Sequence, residues 1–169
     1  MVSIRKVTTP ESQPDIFDKI VDPVAEFAPP EERIARLRRR DGVVWEFMKG
    51  YFGAAPYAGD DVLSDGCLWP SMLTELDQEH KAAFLVDTSL DHAERVIAIR
   101  DTSEHNNWMR DRKYSDEYIR FWAEFNVARS REIIRECDEH GYRYFDIADS
   151  GIDHAQQKAA EHLGLERVI

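Results

Sequence analysis

Apolar and polar positions alternate in blocks along the second half of the chain, and the blocks have the lengths of strands and helices. Ala82-Ala83-Phe84-Leu85-Val86 is a short apolar run of the kind that forms a strand buried on both faces. Asp91, with Glu94 three residues on, opens a helix through Val96 and Ile99 in capping-box fashion. A polar, basic segment at 106–114 carries Arg110, Arg112 and Lys113. Ser115 then caps a long helix to about His140, and Gly141 supplies its left-handed stop. Tyr144-Phe145-Asp146-Ile147 predicts a second buried strand, and a last short helix spans Ile152 to Leu163 before Gly164. Strand, helix, basic loop, long helix and strand make a right-handed crossover unit with an arginine-bearing flap in its middle.

The first half is less regular. Val2 to Ile4 can form a short strand. Pro29-Pro30-Glu31-Glu32 opens a helix, because proline suits a first turn and acids suit its positive end. This helix runs through Ile34 and Leu37 to Arg38-Arg39-Arg40, which reads either as a solvated helix end or as a phosphate-binding patch. Helix continues over 43–52, with Val44, Phe47, Met48 and Tyr51 spaced for a core face. Residues 53–59, which include Pro56, read as a loop. Residues 61–66 read as a strand ending in Asp65 and Gly66.

Element order and the pair Arg110-x-Arg112 together resemble the C-terminal half of P-loop small-molecule kinases of the adenylate-kinase-like class, over roughly residues 60 to 165. The resemblance implies a three-layer α/β fold with a mostly parallel sheet, filling 1–169 as a single domain. It implies transfer of the terminal phosphoryl group of ATP, with Mg2+, to a small hydroxyl or phosphate acceptor. Arg110 and Arg112 would be catalytic lid arginines closing on the nucleotide phosphates. Asp65 would orient Mg2+ or the acceptor, or else simply bond its own turn. Arg5 and Trp69 would face the acceptor, and Asp149, Ser150 and Gly151 would pass the adenine.

The defining G-x-x-x-x-G-K-[S/T] loop occurs nowhere in the chain. Met1-Val2-Ser3-Ile4-Arg5 matches the family's second strand, so a preceding strand, loop and helix of roughly 25–30 residues is expected to be missing. In the family that strand is central to the sheet. Its loss predicts a gap closed by direct strand pairing, a gap filled by a second copy of the chain in a homodimer, or a marginally folded chain. Without the loop that holds the triphosphate, nucleotide binding is expected to be weak and turnover absent. The competing class is a kinase-like binding or assembly module.

Composition narrows the partners. Hydrophobic residues at 43%, with 18 aromatics, suit a folded core, and a net charge of −11 argues against nucleic acid or an anionic membrane as partner. No apolar run approaches the ~20 residues that span a bilayer. The N-terminus has no hydrophobic signal core, and Cys67 and Cys137 are unclustered, which points to a reducing, cytoplasmic setting. Six histidines form no H-x-x-x-H pair and none stands at a metal-ligand spacing, and no G-x-S-x-G elbow is present.

Overall fold

A computed structural model of the chain describes residues 28–58, 64, 68–102 and 113–165. It divides into two compact units, Met1–Gln78 and Glu79–Ile169. The expected strands at Val2 to Ile4 and at 61–66 lie outside the described residues.

In the first unit, α1 spans Pro30–Ala58 and α2 is a single turn, Pro70–Leu73. Pro30 starts α1 where its missing amide costs nothing, and Glu31 and Glu32 complement the positive end of the dipole. The helix does not stop for the loop expected at 53–59. Pro56 falls in the last turn, where its absent amide costs one hydrogen bond and little helix remains to break.

The buried stripe of α1 also differs from the expected one. Ile34, Asp41 and Trp45 are buried, while Phe47 and Tyr51 are 52% and 61% exposed. The arginine triplet sits inside the helix rather than at its end, so Arg38 and Arg40 are held by neighbours rather than by the dipole. Arg38 lies 3.8 Å above the Trp69 ring, and Arg40 donates twice to Asp41 Oδ1, at 2.9 and 2.6 Å. Trp69 and Trp45 hand their indole N–H groups to Asp41 Oδ2 (2.9 Å) and Glu75 Oε2 (3.1 Å). Each buried indole donor is thereby satisfied by an acid that a cation also holds, Lys49 reaching Glu75 at 2.6 Å.

The second unit is mixed α/β. Strand β1 (Ala83–Val86) pairs in parallel with β2 (Arg143–Asp146), Ala83 opposite Arg143 and Val86 opposite Asp146. Between them run α3 (His92–Thr102) and α4 (Asp116–His140), and after β2 come the one-turn α5 (Ile147–Ser150) and α6 (Ile152–Leu163). Burial on both faces, expected of β1, is not found. Val86 is buried, but Leu85, on the opposite side of the pleat, is 42% exposed. The second strand begins and ends one residue earlier than expected, and Ile147 already belongs to α5.

Both ends of α4 follow the sequence. Ser115 accepts the Tyr118 amide at 3.2 Å, and Gly141, at φ 78°, donates its own amide to the Cys137 carbonyl at 2.8 Å. Its buried side carries Ile119, Ala123, Ser130, Ile133 and Cys137. Helix α6 buries only Ala155 and Ala159, small residues that let it lie close over the strands, and Gly164 ends it at φ 76°. Among the described residues no helix is long and apolar enough to cross a membrane.

Candidate functional site

Two parallel strands in flush register deliver their carboxyl ends to one place, and each end runs directly into polar side chains. Val86 is followed by Asp87, Thr88 and Ser89, while β2 itself ends on Asp146. In open α/β sheets this edge is where ligands bind, since the loops there are free of the ladder.

Asp87 is the hub. Its Oδ1 accepts the Ser89 amide at 3.0 Å and the Ser89 hydroxyl. Its Oδ2 accepts His92 Nδ1 at 2.8 Å and Arg95 Nη2 at 2.7 Å, both from the first turn of α3. Burial alone pushes the Asp87 carboxyl upward, but the two Ser89 hydrogen bonds and the charges of His92 and Arg95 outweigh it and hold its pKa below the usual carboxylate value. The Asp87 amide donates to Ser130 Oγ on α4 at 3.0 Å, so the same residue touches both helices of the crossover.

His92 is fixed on its other sides as well. Its ring stacks on Trp122 of α4, centroids 5.8 Å apart. With Nδ1 given to a carboxylate, Nε2 is left as the second ring nitrogen, and it is buried without a hydrogen-bond partner among the described residues. A fixed imidazole beside a carboxylate can hold or pass a proton.

At Asp146 the arrangement is different in kind. The carboxylate accepts the Thr88 amide at 3.2 Å and the Thr88 hydroxyl, and it caps α5 by accepting the Ala148 amide at 2.9 Å.

From this edge α3 and α4 rise as an antiparallel hairpin. The contacts His92–Trp122, Glu94–Arg120 (3.1 Å) and Arg100–Asp116 (2.6 Å) climb one helix while descending the other. The eleven residues of α3 carry its far end about 15 Å from its start after β1. Lys113, two residues before the Ser115 cap of α4, holds a left-handed backbone (φ 56°) that side chains seldom adopt.

Of the residues implied by the resemblance, Arg5, Asp65, Arg110 and Arg112 lie outside the described residues. Asp149, Ser150 and Gly151 are exposed on α5 and the residue closing it, in a one-turn helix where a plain loop was expected. Trp69 is fully enclosed within the first unit, between Arg38 and Asp41, with no ring face open to a ligand. Metal-ligand spacing does not single out His92 among the six histidines. The signal that does is the turn: an acid directly after a strand, then His and Arg three apart at the start of the next helix. Among the described residues no three His, Cys, Asp or Glu side chains are grouped to hold a metal ion.

No protein-family model, curated protein or solved structure matches the chain.

Proposed function

We propose that the chain is a nucleotide-binding domain of the P-loop small-molecule kinase kind, built for transfer of the ATP terminal phosphoryl group to a small acceptor. One observation carries this reading: two paired parallel strands are joined in the chain by an antiparallel pair of helices, the first leaving the carboxyl end of β1. Such a kinase carries its phosphate flap between these two helices in the chain, and Arg110 and Arg112 fall there in the sequence. In this reading those arginines neutralise charge on the transferring group. Asp65 orients Mg2+ or acceptor, Arg5 faces the acceptor, and Asp149, Ser150 and Gly151 pass the adenine. The three-layer, mostly parallel sheet of that class belongs to the same proposal, as does a homodimer.

A second reading, a kinase-like binding or assembly module without turnover, has its own support. The sequence carries no phosphate-cradling glycine loop, and Asp87 and Asp146 already accept donors from the protein itself. Calorimetric titration of the chain with Mg-ATP tests the first reading. Binding is expected, and R110A and R112A should each weaken it by roughly tenfold, the loss for a charge-assisted contact to phosphate. Absence of any binding at millimolar Mg-ATP refutes the nucleotide reading. Phosphoryl transfer or hydrolysis in addition to binding rules out the module.

A further inference from the structure

Consecutive residues at the end of β1 face two different parts of the site. Asp87 holds the hairpin, through His92 and Arg95 on α3 and Ser130 on α4. Thr88 turns to the other side, and both its amide and its hydroxyl donate to Asp146. Asp146 in turn caps α5 through the Ala148 amide. A four-residue helix cannot sustain itself, because forming the first turn costs more conformational freedom than one hydrogen bond returns. The 147–151 turn therefore draws on the Asp146 carboxylate at its start, as it draws on α6 at its end. The carboxylate is held by a β-branched neighbour with few rotamers of its own.

We propose that Thr88 is a positioning residue: acting through Asp146, it sets the 147–151 turn and with it the affinity for a purine base, without touching the base. The inference rests on the nucleotide reading for its ligand class, but its structural part does not. Because Asp87 serves the hairpin and Thr88 serves the turn, the two ends of a bound nucleotide are set by adjacent residues through separate contacts. A change at Thr88 should then be felt at the base end alone.

The test uses Thr88→Val, which keeps shape, branching and the backbone amide but removes the hydroxyl, and Thr88→Ser, which restores it. Hydrogen exchange on the unliganded chain reads the turn directly. Exchange of the Ala148 and Gly151 amides is expected to quicken roughly tenfold in T88V and to match wild type in T88S. Two probes separate the ends of the ligand. Adenosine should bind T88V roughly tenfold more weakly, and inorganic tripolyphosphate should bind it as it binds wild type.

Unchanged exchange over 147–151 in T88V overturns the positioning role. Equal losses for both probes overturn the separation of ends, and a wild-type chain that binds tripolyphosphate but not adenosine overturns the base assignment. Should wild type bind neither probe, the nucleotide reading fails on its own and exchange alone decides for or against Thr88. If T88V does not fold, Asp146→Asn, which weakens the same link from the other side, is read by the same exchange measurement.

Discussion

Replacing Asp87 by asparagine is the sharpest perturbation of the strand-end cluster. The asparagine amide has one acceptor and one donor group where the carboxylate has two acceptors. Oriented to keep the Ser89 bonds, it turns its NH2 toward Arg95, a donor itself, and toward His92 Nδ1, which must give up its proton to Nε2 to accept; flipped, it loses Ser89 instead. Hydrogen bonds to a charged group are worth about 1.5–3 kcal/mol each. The Arg95 side chain is 38% exposed and recovers water when released, so its share is discounted. The sum is a loss of about 3 kcal/mol, or about 10 °C in Tm for 169 residues.

The pH dependence has a fixed sign. The folded pKa of Asp87 is lowered, so its stabilisation is present above the unfolded carboxylate value of about 3.9 and is lost as pH falls through the lower folded value. Urea melts of wild type and D87N should differ by about 3 kcal/mol at pH 7 and converge toward pH 2. A difference below about 1 kcal/mol at pH 7, or one that holds unchanged to pH 2, would refute the assignment of Asp87 as the charged hub.

Other perturbations have equally definite outcomes. Ser115→Ala removes the cap of the Tyr118 amide and should cost about 1 kcal/mol in denaturant melts, with S115D restoring it. Gly141→Ala should cost a similar ~1 kcal/mol, wholly from the left-handed backbone, since an added Cβ meets nothing within 4 Å. Trp69→Phe strips one donor from the buried Asp41 carboxylate, leaving Arg40 to hold it, and should cost about 2 kcal/mol by the same measurement. Burial first, then the neighbouring Asp138 and Glu136 charges, pushes the Cys137 thiol up from 9.0 to about 12. In a Cys67→Ser background at pH 8, Ellman's reagent should therefore label the native protein about a thousandfold more slowly than the urea-unfolded chain.

Local chemistry was legible in the sequence, and relations across the fold were not. Ser115, Gly141 and Gly164 mark helix ends through groups within a turn of themselves, so spacing alone reveals them. Pairing of the two strands followed from the length and order of the elements between them. The face that α1 buries was not legible, because Trp45 and Asp41 are drawn inward by Glu75 and Trp69, residues from a different stretch of chain. Phe47 and Tyr51 have the right spacing and the wrong side. The site divides in the same way. Asp87, His92 and Arg95 are within eight positions of each other, yet only the turn after β1 puts both α3 side chains on one carboxylate oxygen. Thr88 and Asp146 meet across 58 positions, which no local pattern encodes.

Parallel pairing of β1 with β2 also governs the order in which this unit can assemble. Ala83 meets Arg143 sixty positions along, so no hairpin can nucleate the sheet. A long loop must be closed before the first ladder bond repays its cost, whereas α3 and α4 are separated by only 13 residues and can pair earlier. Strand pairing is thus expected late in folding. Substitutions in the α3–α4 interface should slow folding, while those in the ladder should mainly speed unfolding.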